Sequence, residues 1–287
     1  LAAGAEGIGL LRTEFLFLGA DHLPTEEEQA AVYLSVSEAL GERPLTVRTL
    51  DLGADKPLPY LPLAPEENPF LGVRGLRLGL AHPDLLLPQL RAVLRLAADR
   101  PVRLMFPMVT TLEEVRAARV VLDGARASLV SAGVSVPPRV ELGIMVEVPA
   151  VALVVERFLP VVDFLSLGTN DLAQYVLAAE RGNGAVSGLA DAAHPAVLGV
   201  IERVARVGAR QGRRVSLCGE LAGEPSLVPL LLGLGLTELS VAPHGIALVK
   251  DAVRGTDTGV ARRLAKRALA AESAQAVRRL TMTRPRK

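Results

Sequence analysis

Two carboxylates, three arginines and one thiol stand out because each falls at or near the end of an apolar run. Glu147 closes the run that begins at Glu141, and Asp171 follows Gly168-Thr169-Asn170 at the end of the next. Two acids at neighbouring strand tips, with room for water and substrate, are the usual protein share of a Mg²⁺ site. Taken singly, Glu147 is equally a first-turn acid of a helix starting at Pro149, and Asp171 a helix cap. Arg12 and Arg48 sit inside otherwise apolar strands, and Arg181 opens the Gly-rich turn Arg181-Gly182-Asn183-Gly184. A guanidinium grips phosphate or carboxylate through two parallel hydrogen bonds, so three of them near a metal point to a small, multiply charged anion. For any one of them a surface ion pair is the plainer role. Cys218, the only cysteine, stands at a strand end in Leu217-Cys218-Gly219-Glu220. It is either buried filler or a proton donor to a carbanion. His194 and His244 have no partner at metal-ligand spacing and read as helix caps or loop packing.

The elements that must position these residues alternate. Seven strands are expected, at Gly7 to Arg12, Leu45 to Asp51, Val102 to Met108, Glu141 to Val148, Asp163 to Gly168, Val215 to Glu220 and Leu239 to Pro243. Several are near-continuous apolar runs, the pattern of parallel strands covered on both faces. Helices fill the gaps. Thr25-Glu26-Glu27-Glu28 and Thr111-Leu112-Glu113-Glu114 are capping-box starts, with Gly41 and Gly133 as stops. Arg12, Arg48 with Asp51, Met108, Glu147, Asn170 with Asp171, and Cys218 with Glu220 all fall at C-terminal strand ends, where barrel enzymes assemble their sites. This favours an α/β fold of the (β/α)8 TIM barrel type over an open sheet with one crevice. A barrel needs eight strands, so one βα unit is expected upstream of Leu1, and the chain, which lacks an initiator Met, is read as a piece of something longer.

Composition narrows the classes. The chain has 287 residues, 50% hydrophobic and 22% charged, enough for a large core. Nine aromatic residues and a net charge of +1 leave little for base stacking and no global field for a polyanion, so no nucleic-acid partner is expected. Any anion site must be local. One cysteine rules out an intramolecular disulfide framework and fits a reducing cytoplasm. The uncharged run from Ser226 to Thr237 is far short of the ~20 residues of a membrane span. Residues 1–255 read as the barrel. Residues 256–287 read as a C-terminal solvated helix and frayed basic tail, with nine Lys or Arg against Asp257 and Glu272. The stretch Asp51 to Gly79 carries too many Pro and Gly for regular structure and reads as a functional loop over the barrel mouth.

Several strings are specific enough to name a family. Gly7-Ile8-Gly9-Leu10-Leu11-Arg12-Thr13-Glu14-Phe15-Leu16-Phe17, Val47-Arg48-Thr49-Leu50-Asp51 and Glu66-Glu67-Asn68-Pro69-Phe70-Leu71-Gly72-Val73-Arg74 resemble the phosphoenolpyruvate-binding barrel of the Enzyme I family, the phosphoenolpyruvate-protein phosphotransferases of the bacterial sugar phosphotransferase system. The likeness continues through Met105-Phe106-Pro107-Met108, Gly143-Ile144-Met145-Val146-Glu147-Val148-Pro149, Gly168-Thr169-Asn170-Asp171-Leu172 and Cys218-Gly219-Glu220-Leu221-Ala222-Gly223, from Gly4 to about Arg254.

The resemblance implies that Arg12, Arg48 and Arg181, with Asn170, hold the phosphate and carboxylate of phosphoenolpyruvate, and that Asp171 adds to that contact. Arg74 matches a further arginine near the phosphate. Glu147 and Asp171 match the Mg²⁺ ligands, and Cys218 the acid that protonates C3 of the pyruvate enolate. It also implies a phosphoryl acceptor histidine in a separate N-terminal domain, which hands the group to the histidine-containing phosphocarrier protein, and a homodimer formed through the barrel. None of the four histidines here lies in a comparable motif, so this chain alone is expected to bind phosphoenolpyruvate without turning it over. Glu180 stands where the family usually has Asp, and Ala242-Pro243-His244 replaces a more Ser-rich stretch. Two other readings share part of the pattern. A pyruvate phosphate dikinase or phosphoenolpyruvate synthase C-terminal domain shares the barrel with its metal and cysteine motifs, but Leu50 to Lys56 favours Enzyme I. A metal-dependent aldolase barrel explains Glu147 and Asp171 but leaves Arg181 and Cys218 without work.

Overall fold

The computed structural model describes residues 1–53 and 58–282. The expected tail Arg-Pro-Arg-Lys and the stretch Ala54 to Pro57 lie outside the described residues. In chain order the elements are β1 (Ile8–Leu11), α1 (Glu14–Leu18), α2 (Glu26–Leu40), β2 (Leu45–Arg48), α3 (Leu76–Ala81), α4 (Pro83–Leu96), β3 (Val102–Phe106), α5 (Leu112–Ser131) and β4 (Glu141–Val146). They continue with α6 (Pro149–Leu153), β5 (Phe164–Gly168), α7 (Thr169–Leu177), α8 (Pro195–Arg210), β6 (Arg214–Cys218), α9 (Val228–Gly233), β7 (Glu238–Leu239), α10 (Ile246–Arg254), α11 (Thr258–Leu269) and α12 (Ala274–Met282). Two compact units emerge, residues 6–145 and residues 1–5 with 146–287. In the first, β1 pairs with β2, β2 with β3 and β3 with β4; in the second, β5 pairs with β6 and β6 with β7. Every one of these pairings is parallel and joins consecutive strands, the signature of a (β/α)8-type barrel, with seven strands among the described residues.

All seven expected strands are present, but most stop short at their C-terminal ends. β2 ends at Arg48, β3 at Phe106, β4 at Val146 and β6 at Cys218. Past these points the backbone leaves the ladder to present side chains. Met108 adopts φ 52° and Gly219 φ 103°, conformations that no strand contains. Arg12 is a correction of the same kind, because it lies one residue beyond β1 and is exposed, not inside an apolar strand.

Both capping boxes form. The Thr25 hydroxyl accepts from the Glu28 N–H while the Glu28 carboxylate accepts from the Thr25 N–H, and Thr111 and Glu114 repeat the exchange. α5 then buries Val115, Ala118, Leu122, Ala125 and Leu129, an i, i+3, i+4 stripe. Within residues 6–145 the core is aliphatic as composition demands, with Leu45 and Val47 of β2, Leu104 of β3 and Leu90, Val93 and Leu94 of α4 fully buried.

The described residues of the stretch from Asp51 to Gly79, 51–53 and 58–79, are more ordered than their Pro and Gly content suggests. Phe17, Leu50, Leu52, Leu58, Leu78 and Leu85 form a buried apolar cluster with Tyr60 and Leu61 against it, and the Tyr60 hydroxyl donates to the Phe17 carbonyl at 2.7 Å. A short 3-10 turn occupies Pro69–Leu71, and α3 starts at Leu76, where prolines cease and two leucines can be buried. The solvated C-terminal helix also needs correcting. α11 packs on α9 and buries Ala261, Ala265 and Ala268, so only its Arg and Lys face is wet. His194 caps α8, its Nδ1 accepting the Ala196 N–H at 3.1 Å, as its position suggests.

Candidate active site

In the unit of residues 6–145, Arg48 closes β2 and is 7% exposed. Its Nη2 donates to Glu14 Oε1 at 2.9 Å, its Nη1 lies 3.1 Å from Asp51 Oδ2, and Nη1 also meets the Met145 sulfur at 3.7 Å. The same Glu14 oxygen accepts the Asp51 backbone N–H at 2.9 Å. Arg74 completes the series, with Nη2 at 3.1 Å from both Asp51 oxygens and its guanidinium 5.5 Å from the Phe70 ring centroid. Two cations and two carboxylates are thus buried in an alternating row. Buried charges persist only where paired and hydrogen-bonded, and this row fixes the plane of the Arg48 guanidinium.

Gly75 lets the row close. Its φ is 56°, and a Cβ there would lie 2.6 Å from the Met108 Cβ and 3.1 Å from Asp51 Oδ1. Neither Glu14 nor Gly75 was singled out by sequence reasoning. The readable signal for Glu14 is an acid ahead of the apolar run Phe15-Leu16-Phe17, where a solvated side chain would be costly to bury unpaired.

In the second unit, Glu147 follows β4 directly and is 1% exposed. Asp171 sits in the first turn of α7 at 6% exposure, and Arg181 Nη2 approaches its Oδ1 at 3.5 Å. Arg181 itself is 40% exposed at the side chain, held through its backbone N–H donating to Gln174 Oε1. Asn170 accepts the Glu220 N–H on Oδ1 at 3.1 Å, which leaves its Nδ2 as the group that can donate to a ligand. Thr169 Oγ1 donates to the Cys218 carbonyl at 2.9 Å, so the turn after β6 is tied to the start of α7. Cys218 is buried at the end of β6. Its Sγ donates to the Leu167 carbonyl at 3.3 Å and accepts from Ser166 Oγ at 3.7 Å. Gly219 is obligatory beside it, since a Cβ would lie 2.3 Å from Thr169 Oγ1.

Next to Asn170 lies a cavity of about 310 Å³, bordered by Thr169, Asn170, Asp191, Glu220, Glu224 and Arg278. Arg278 of α12 bridges Asp191 and Glu224, which push its guanidinium pKa up, while its hydrogen bond holds the Asp191 carboxyl below the usual carboxylate range. Glu147 and Asp171 suit Mg²⁺ by donor chemistry. Both are buried carboxylates of one unit, hard-oxygen donors in type, and among the described residues no group of three or more His, Cys, Asp or Glu could hold a metal. A two-carboxylate site completed by substrate oxygens is the arrangement Mg²⁺ favours over an all-protein cage.

Comparison with known proteins gives the same direction. Residues 1–258 match the family model described as PEP-utilising enzyme, PEP-binding domain. The chain is 45% identical over 274 residues to the phosphoenolpyruvate-protein phosphotransferase of Staphylococcus carnosus, covering 96% of this chain and 48% of that protein. It is 50% identical over 278 residues to the protein of that name from Haloferax volcanii, covering 94% and 48%. The chain therefore spans about half the length of the curated relatives it matches. A solved citrate lyase from Burkholderia xenovorans shares the fold at TM-score 0.50 and 19% identity, covering 88% of this chain and 82% of that one. A family match over nine-tenths of the sequence, together with relatives at 45 and 50% identity, shows that the chain belongs to the phosphoenolpyruvate-utilising enzymes, as their phosphoenolpyruvate-binding domain.

Proposed function

We propose that this chain is the phosphoenolpyruvate-binding half of a phosphoenolpyruvate-protein phosphotransferase, which releases pyruvate while passing the phosphoryl group to a histidine of an N-terminal domain. The observation that carries the reading is the Arg48 guanidinium, buried and fixed by Glu14 and Asp51 at the tip of a barrel strand. Arg12, Arg48 and Arg181 take the phosphate and carboxylate oxygens, with Asn170 donating from Nδ2. Arg74 acts chiefly by holding Asp51, and through it Arg48. Glu147 and Asp171 would hold Mg²⁺, which when bound would supply positive charge to offset the negative charge of the substrate. Arg48 is fixed before the ligand arrives, so little reorganisation of that side chain accompanies the build-up of charge as the phosphoryl group departs. Cys218 then delivers its proton to C3 of the enolate, completing pyruvate.

The histidine-containing phosphocarrier protein is the proposed next acceptor, in sugar uptake by the phosphotransferase system. The proposed setting is the cytoplasm. No helix among the described residues is long and apolar enough to cross a membrane. A homodimer is proposed, supported by Phe15, Leu18, Leu71 and Val73, large apolar side chains exposed in the unit of residues 6–145.

The test is pyruvate release coupled to lactate dehydrogenase. The 287-residue chain with Mg²⁺ and phosphoenolpyruvate should release none, and adding a histidine-bearing acceptor domain with the phosphocarrier protein should start turnover. Cleavage or decarboxylation of oxaloacetate by the chain alone would instead favour the aldolase reading.

A further inference from the structure

We propose that Gln89 is a positioning residue for the arginines at the ends of β1 and β2; the inference rests on the phosphoenolpyruvate reading above. Gln89 lies on α4 among Leu85, Leu86, Leu90 and Val93, and is fully buried. A primary amide in such a place is costly unless its polar atoms are satisfied, and an apolar residue of the same size would fill the space more cheaply. Here its polar atoms are engaged. Oε1 accepts the Leu50 backbone N–H at 2.8 Å, and Nε2 donates to Thr13 Oγ1 and to the Tyr33 hydroxyl, both at 3.1 Å.

The partners of that amide are the point. Thr13 follows Arg12 in sequence, and its hydroxyl donates to the Arg48 carbonyl at 3.0 Å. Leu50 stands two residues past Arg48, where β2 has ended. β1 likewise ends at Leu11, and beyond Arg48 only the Thr49 N–H still reaches β3, donating to the Met105 carbonyl at 3.0 Å, so the backbone leaves its strand neighbour at Leu50. Gln89 supplies the missing bonds and ties both departing segments to one helix position. Its own side chain is braced in turn, because Tyr33 donates to Gln29 Oε1 at 3.1 Å and Gln29 Nε2 donates to the Pro24 carbonyl at 2.9 Å. The network Pro24–Gln29–Tyr33–Gln89–Thr13–Arg48 therefore runs from the start of α2, through α4, to the strand ends. Anion grip by two guanidinium groups depends on their spacing, and a displacement of about 1 Å is enough to lose most of the benefit of orientation.

The experiment measures phosphoenolpyruvate affinity by calorimetry in Mg²⁺, together with the melting temperature, for four forms of the 287-residue chain. These are the parent, Gln89→Met, Thr13→Val and Leu94→Ala. The first two substitutions delete network hydrogen bonds at nearly constant volume. Leu94→Ala opens a cavity on the same helix without touching the network. Gln89→Met and Thr13→Val should each raise Kd at least tenfold, while Leu94→Ala lowers the melting temperature at least as far and leaves Kd within twofold. Unchanged Kd in both network variants would overturn the proposal, as would a rise in Leu94→Ala equal to theirs. Should Gln89→Met fail to fold, Thr13→Val decides by the same criteria. A parent chain that binds no phosphoenolpyruvate would overturn the reading of the site and this inference with it, whereas a binding parent with unaffected variants overturns the inference alone.

Discussion

Arg48 shows what a single side chain must do to serve as an anion grip. Its fork contacts Glu14 and Asp51 and is almost wholly buried, so both its direction and its charge are set before any ligand arrives. Arg48→Lys should weaken phosphoenolpyruvate binding by about 1.5 to 3 kcal/mol, the scale of a charge-assisted hydrogen bond, because an ammonium cannot reproduce the planar fork. Titration of the variant reads this directly, and a change below about 0.5 kcal/mol would return Arg48 to a purely structural ion pair. Cys218→Ser separates acid from filler. The hydroxyl is nearly isosteric but a far weaker acid, so in a protein carrying the histidine domain pyruvate formation should slow by about 10² to 10⁴ while affinity holds. Near-normal turnover would defeat the acid assignment. At this scale the sequence shows types but not pairings. Arg48 and Asp51 are visible as charges in or beside an apolar run and Arg74 only through the family resemblance, whereas the pairing of Glu14 with Arg48, 34 positions away, cannot be read from either residue's neighbours.

Elements convert these side chains into a site by where they stop. Parallel strands buried on both faces are legible as apolar runs, which is why all seven could be located. Their ends are not, because Leu50, Leu52, Pro107-Met108 and Val148 keep the sequence apolar after the strands have ended. α3 was hidden for the opposite reason, as a short helix just beyond a stretch dense in Pro and Gly. The turn after β6 offers a test. Gly219→Ala should destabilise by about 1 to 3 kcal/mol, since φ 103° and contact with Thr169 Oγ1 both penalise a Cβ, and thermal unfolding should show it. α12 offers another. Asp191 is held below its usual pKa mainly by the Arg278 hydrogen bond, so the folded state binds its proton more weakly than the unfolded state does. Its contribution is complete above the ordinary carboxylate value and is lost as pH falls through the lowered folded-state value. The stability difference between the parent and Arg278→Ala should shrink over that acid window. A difference that stays constant down to the lowest pH would show that the ion pair does not couple α12 to the fold.

Over the whole molecule, a net charge of +1 provides no long-range attraction for an anion, so recognition must come from fixed local charge. Residues 6–145 hold fixed charge of that kind in the Glu14–Arg48–Asp51–Arg74 row, and residues 146–287 hold the buried carboxylates Glu147 and Asp171. The barrel class was legible because strand–helix alternation and polar strand tips survive in a single sequence, while the packing of α11 on α9 was not, because its alanines beside many Arg and Lys read as a wet helix. In the proposed function this chain binds phosphoenolpyruvate through a cation held by Glu147 and Asp171. Its most direct test is a calorimetric titration of the 287-residue chain with phosphoenolpyruvate, first in Mg²⁺ and then in excess EDTA. Saturable one-to-one binding is expected with the metal and its loss in EDTA, because phosphate and carboxylate brought beside two acids would need a cation to offset the charge. Equal affinity in EDTA, or no binding in Mg²⁺, would contradict it.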